Sequence, residues 1–225
     1  ACRLSRHPGW EAAAPPVACR GTPAGSCVTL AGASNSILSR LDPEVPRMRD
    51  RFPQEAVLRD GSRLLIRPFT SSDTQALYAF FQRLPEEVRR FAWDRIDSRS
   101  LVEQWGRELD YDKVLPLIAT DGQRIVADAT LHRREGSPLR LVGRIKWLMD
   151  PKFRGLGLGT ILVNDFIRIA HNDGLRHLTC MLVADFEADA VETLSGLGFD
   201  RYLIPGYGTD PDGNQHDMVK MVLKL

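Results

Sequence analysis

The stretch Trp147-Leu-Met-Asp150-Pro-Lys-Phe-Arg154-Gly-Leu-Gly157-Leu-Gly159-Thr160 is the part of the chain from which the fold can be read. It begins strand-like and passes through a turn with three alternating glycines. It then enters a segment of helical spacing, in which Ile161, Leu162, Phe166, Ile167 and Ala170 share one side. Glycine permits backbone conformations closed to other residues, so successive N–H groups can converge on one anion. The positive end of the following helix adds to the attraction. On physical grounds this is a phosphate cradle; a tight turn with glycines kept for packing is the plain alternative. Two nucleotide readings fail on the letters. A P-loop would end in Gly-Lys-Ser/Thr, and Gly159-Thr160 lacks the lysine. A G-x-G-x-x-G frame meets Thr160 or Leu162 where its last glycine belongs.

Upstream, residues 114–120, 124–133 and 139–149 read as strands joined at Asp121-Gly122 and Glu135-Gly136, an antiparallel meander. Before them, 56–58 and 63–68 form a strand pair turning at Asp60-Gly61. Ser72 with Gln75, and Ser100 with Glu103, read as capping boxes opening two helices, the second over 101–109. Pro85 opens a short helix over 86–93 between them. Downstream, Asp173-Gly174 ends the helix that follows the glycines. A strand at 177–183, a helix at 188–195 and strands at 199–204 and 218–223 complete the order. Residues 206–216, broken by Gly and Pro, read as a loop. This order predicts an α/β fold: a mixed, mostly antiparallel central sheet with helices on both faces, in a single domain.

That domain is expected over 48–225. Residues 1–47 hold six of the 14 prolines and no lysine, and show no useful periodicity. They read as a disordered tail or passenger sequence, with a targeting peptide as the minor reading. From Met48 onward there are 25 basic and 26 acidic residues, which argues against a nucleic-acid partner. No run of 18 apolar residues exists, so no membrane partner is expected. Cys2, Cys19, Cys27 and Cys180 show neither Cys-x-x-Cys spacing nor a disulfide pattern. The expectation is a cytoplasmic protein without a metal.

Arg154-Gly-Leu-Gly157-Leu-Gly159 resembles the coenzyme A signature Arg/Gln-x-x-Gly-x-Gly/Ala of the GNAT superfamily of N-acetyltransferases, in its bacterial type. Asp150-Pro151-x-Phe153, Gly196-Leu-Gly-Phe199 and Asp212-Gly-x-x-His216-Asp217-x-Val219 are similar to segments of the same family, and the likeness runs from about Arg63 to Leu225. The opening Leu58-Arg-Asp-Gly-x-x-Leu64-x-Ile66-Arg67-Pro68 resembles bacterial protein acetyltransferases. The resemblance implies acetyl-CoA as acyl donor, with its pyrophosphate on Arg154, Gly155, Leu156, Gly157, Leu158, Gly159 and Thr160. The pantetheine arm would lie along Trp147, Leu148 and Met149, with the Leu148 or Met149 amide as oxyanion donor. Glu187 falls where the family often places an asparagine near that arm. The acceptor would be a primary amine, of a small molecule or a protein lysine, attacking directly in a ternary complex. Members often dimerise, so a homodimer is a candidate assembly.

The usual acid–base positions are altered. The glutamate of the strand before the glycines corresponds to Gly143 or Arg144, that of the next strand to Leu182, and the tyrosine of the last helix to Leu194. Replacement bases are Asp128, a carboxylate inside an apolar run, and Asp185 after the 177–183 strand. The bland readings are a solvent-facing Asp128 and a helix-capping Asp185. His132, four residues on, shares a strand face with Asp128. His216 with Asp217, and Tyr207 with Asp210, are further candidates for orienting a base or lining the acceptor slot. Arg144 would hold a carboxylate on the acceptor, or point to solvent. The altered positions leave a second reading open, an acyl-CoA-binding sensor with little turnover, and a third, an unrelated α/β binding domain.

Overall fold

In the computed structural model, which describes residues 51–225, an eight-stranded sheet is built around Val114–Asp121. All but the first and last residue of that strand are buried, as a central strand covered on both faces requires. The strands are β1 (Gln54–Val57), β2 (Arg63–Pro68), β3 (Val114–Asp121), β4 (Arg124–His132), β5 (Val142–Met149), β6 (His177–Val183), β7 (Asp200–Thr209) and β8 (Gln215–Lys224), in the spatial order 1-2-3-4-5-6-8-7. Every neighbouring pair is antiparallel except β5 and β6. Helices α1 (Thr74–Arg83), α2 (Glu86–Arg89) and α3 (Arg99–Arg107) precede β3, α4 (Leu158–Asn172) joins β5 to β6, and α5 (Ala188–Gly196) follows β6.

Two cores form on opposite faces. Phe69, Phe80, Phe81, Val102, Ile118 and Ile125 pack beneath α1 and α3. Leu131, Ile145, Leu158, Phe166, Leu178 and Leu194 pack beneath α4 and α5. The expected mixed sheet with helices on both faces is therefore present. The expectation for residues 1–47 lies outside the described residues. No helix among the described residues is long and apolar enough to cross a membrane.

Local signals were overridden in three places. The box at Ser72 and Gln75 gives way to one two residues earlier, where Asp73 accepts from the Thr70 amide at 2.9 Å. Asp73 is drawn there by Arg67, which grips it with two bonds of 2.6 and 2.7 Å and lowers its pKa to about 2. This ion pair ties β2 to the start of α1. At α3, Glu103 pairs with Arg99 at 2.9 Å, and the helix begins after Ser98, whose carbonyl accepts from Leu101 and Val102. The loop expected over 206–216 is mostly strand. β7 continues through a bulge between Ile204 and Gly208, where the Gly206 amide donates to Asp217 at 2.7 Å. The turn shrinks to a few residues because Asp210 accepts from the amides of Asp212 and Asn214 and from the Asn214 side chain.

The parallel step positions the site. β5 and β6 pair only over Val142–Arg144 with His177–Thr179. Beyond that they separate, although β5 runs on to Met149 and β6 to Val183. A cleft opens in the middle of the sheet with unpaired backbone along one wall.

Candidate functional site

The cleft's chemistry follows from strand alternation. The Asp150 amide donates to Val126 of β4, and the Gly143 carbonyl accepts from Thr179 of β6. Alternate residues of a strand direct their backbone groups to opposite sides. Trp147 and Met149 thus present their N–H and C=O groups to the cleft, whereas Leu148 faces β4. Of the two amides expected as oxyanion donors, only that of Met149 points into the cleft.

The glycine turn sits at the end of the cleft. Gly155 and Gly157 have φ of 71° and 94°, the left-handed region that a side chain disfavours. A Cβ at Gly155 would meet open space, so what the turn requires there is backbone conformation. Gly157 caps α4 and begins the run of free amides. The turn is clasped from the β1–β2 hairpin. The Arg59 amide donates to the Leu156 carbonyl at 3.0 Å, and its guanidinium donates to the Gly155 carbonyl at 3.3 Å. With those carbonyls engaged, the amides are left for an anion. These residues fit the pyrophosphate and arm of a coenzyme A ester.

A cavity of about 320 Å³ follows the cleft. Trp147, Leu148, Met149, Arg154, Gly155, Gly157, Gly159, Thr160 and Glu187 all line it. Leu156 and Leu158 face the core and do not. Glu187 accepts from the Val183 amide at 2.7 Å, and burial raises its pKa against the pull of Arg154. Leu182 and Leu194 are buried walls, as apolar as the sequence implied. Cys180 is buried there too, with its thiol pushed out of the physiological range by desolvation.

A second cavity, about 300 Å³, lies on the α1–α3 side of β5. It meets the first at Trp93, Lys146, Trp147 and Leu148, which line both. Asp128 of β4, directly across from Leu148, faces this second space. Its Oδ1 is sealed from solvent and has no hydrogen-bond partner. Burial, and secondarily Asp94, raise its pKa to about 7, with Lys146 opposing. His132 lines the same cavity, with Nε2 3.0 Å from the Thr130 hydroxyl. Burial and then Lys146 and Arg144 lower its pKa to about 4, so the ring is neutral near pH 7. Asp185 is exposed and lines neither cavity. Arg144 is exposed and lines neither. Gly143 sits in the core, where a Cβ would lie 2.8–2.9 Å from Leu178, Leu131 and Leu175. No acidic side chain could be housed at that position without rebuilding its surroundings.

The sequence does not single out the two phenylalanines that roof the cleft, although it does single out His216 and Asp210 beside them. Phe91 stacks on Phe186 with ring centroids 4.2 Å apart, and His216 meets both edge-on. Arg90 donates to Asp210 at 3.0 Å and also pairs with Asp212. His216 lies 3.2 Å from Asp210. His216 and Asp210 thus anchor the α2 segment to the β7–β8 hairpin, while Tyr207 is exposed and lines neither cavity. Lys146 joins the same roof through Asp94 at 2.6 Å.

Residues 63–197 match the family model of the acetyltransferase (GNAT) domain. The chain belongs to the GNAT acetyltransferase family. Its activity class is therefore acetyl transfer from an acyl-CoA. Solved GNAT structures share the fold. The GNAT domain of S. lividans PAT is 20% identical, with a TM-score of 0.63 over 76% of this chain and 96% of that one. Ribosomal-protein-S5-alanine acetyltransferase from Vibrio fischeri is 17% identical, with a TM-score of 0.63 over 72% and 92%. The structure of yncA from Salmonella typhimurium, with its cofactor acetyl-CoA, is 19% identical, with a TM-score of 0.59 over 72% and 94%. Compared by sequence with curated proteins, this GNAT chain matches none.

Proposed function

We propose that this GNAT domain moves an acetyl group from acetyl-CoA to a primary amine by direct attack in a ternary complex, with Asp128 as general base. The observation that carries the proposal is the buried, unpartnered Oδ1 of Asp128, placed across from Leu148 where the two cavities meet. Bound acetyl-CoA supplies an activated acyl carbon with a thiolate leaving group. The chain's own residues do the rest. The amides from Gly155 to Thr160 hold the pyrophosphate, and the free backbone of Trp147 and Met149 orients the arm. The Met149 N–H stabilises the oxygen that gains charge. Asp128 takes the proton that an alkylammonium must lose before it can attack. A carboxyl group of pKa about 7 is half ionised at neutral pH and matched to that task. Phe91, Trp93 and Phe186 line the mouth of the cleft and give it an apolar edge.

Thiol release from acetyl-CoA is measured with a panel of primary amines for the wild-type chain and Asp128→Asn. Amine-dependent release that the variant loses, with acetyl-CoA affinity unchanged by calorimetry, is the expected result. Tight acetyl-CoA binding with no release for any amine would overturn the reading in favour of a sensor module.

A further inference from the structure

The cavity on the α1–α3 side of β5 has a composition that selects its ligand. Its walls are large and apolar: Phe69, Phe81, Trp105, Leu109, Val114 and Pro116. Its one buried polar atom without a partner is Asp128 Oδ1. The other charges in the lining are largely spent on neighbours. Lys146 pairs with Asp94 at 2.6 Å, Lys113 with Asp110 at 3.1 Å, and Glu108 accepts from Gln104 at 3.0 Å. No arginine lines the space, and its four carboxylates outnumber its two lysines.

We propose that the acceptor is an amine carrying a compact apolar or aromatic group and no carboxylate, with the group in this cavity and the nitrogen at Asp128. The inference rests on the acetyl-transfer reading above. Three features carry it. The volume, about 300 Å³, is at the small end for ligand pockets and suits one ring or a short branched chain. An unpaired buried carboxylate calls for a hydrogen-bond donor at the deep end. A fatty acyl chain in the same space would leave Asp128 buried against hydrocarbon, which is costly. A carboxylated acceptor would find no free cation, since Arg144 lies outside in solvent.

The test compares 2-phenylethylamine, ethanolamine and phenylalanine as acceptors for the full 225-residue chain, with hexanoyl-CoA tried against acetyl-CoA as donor. The expected kcat/KM for 2-phenylethylamine exceeds that for ethanolamine by about 10- to 100-fold, the value of burying an aromatic ring. Phenylalanine, with the same ring and an added carboxylate, falls at least about 10-fold below 2-phenylethylamine. Val114→Phe narrows the cavity from the half-buried end of β3 and reduces the preference, with acetyl-CoA affinity and thermal unfolding confirming an intact fold. Equal rates for the three amines, a preference for phenylalanine, or a preference for hexanoyl-CoA that Val114→Phe removes would overturn the inference. Calorimetric titration of 2-phenylethylamine alone gives a readout independent of turnover. If acetyl-CoA does not bind, the acetyl-transfer reading fails, while amine binding abolished by Val114→Phe still supports this pocket. If acetyl-CoA binds but the amine neither binds nor reacts, the pocket assignment falls alone.

Discussion

The two walls of β5 recognise by different means. On the α4–α5 side the surface is main chain: unpaired amides of Trp147 and Met149, and a turn held in left-handed geometry at Gly155 and Gly157. On the α1–α3 side it is side chain: Asp128 and His132 on a floor beneath aromatic walls. A main-chain site depends on strand ends and glycines and tolerates change in the side chains around it. A side-chain site can be re-cut one residue at a time. On the proposed reading, the half that takes acetyl-CoA is thus of a general kind, and the half proposed for the acceptor is where this enzyme's individuality lies.

That contrast can be broken most sharply at Asp128. Asp128→Asn should lower amine kcat/KM by roughly 10²- to 10⁴-fold, the usual worth of a general base, with acetyl-CoA affinity unchanged. Parallel loss of affinity in calorimetry would mean that the two walls are not separate. The same group sets a pH dependence. In the wild type, kcat/KM should climb with pH and level off above about 7, as the carboxyl group ionises. Between roughly pH 4 and that value the folded chain keeps a proton that the unfolded chain has released. Stability therefore declines as pH rises through the window, and Asp128→Asn should remove that slope in urea unfolding at pH 5 and pH 8.

A smaller effect is expected on the main-chain side. Gly157→Glu puts a side chain at φ 94°, at a conformational cost of about 1–2 kcal/mol, and sets a negative charge against the phosphates. The acetyl-CoA Kd should rise by roughly 100-fold. Retained binding would show that the glycines serve packing alone. Gly143→Ala tests the hinge between the walls, just below the point where β5 and β6 part. Its Cβ would press on three leucines, an overpacking cost of about 1–3 kcal/mol that should lower Tm by roughly 3–10 °C. The smallest change is expected for Asp185→Ala. That residue is exposed outside both cavities, so activity should stay within about twofold.

The same contrast explains what could be read from the letters. The glycine turn, the proposed donor side, was legible because such a backbone needs residues with special conformations, and Gly155, Gly157 and Gly159 are visible one by one. The meander, the 177–183 strand and the helix on each side of it were legible because their apolar periods are strong. The side-chain cavity, the proposed acceptor side, left only Asp128 and His132 visible in the sequence, the first as an acid out of place in an apolar run. Its roof could not be read, because Phe91, Trp93 and Phe186 come from segments far apart in sequence that meet only once β5 and β6 separate. Asp185 looked equivalent to Asp128 in sequence, yet it lies in the connection to α5 with its side chain outside the cleft. The β7–β8 turn was read as too long because an Asp210 side chain, rather than backbone alone, closes it.

The clasp of Arg59 on the glycine turn has a consequence for how the protein comes together. The two partners are nearly a hundred residues apart, on opposite sides of α1, α2 and α3 in the sequence. The clasp forms only when the β1–β2 hairpin has docked on the turn, so this part of the proposed cofactor site is completed by a long-range closure of the chain. A ligand that binds only this finished turn draws the folding equilibrium toward it. The Arg59 amide should then exchange its hydrogen markedly more slowly when acetyl-CoA is present, although it lies on the hairpin rather than on the turn.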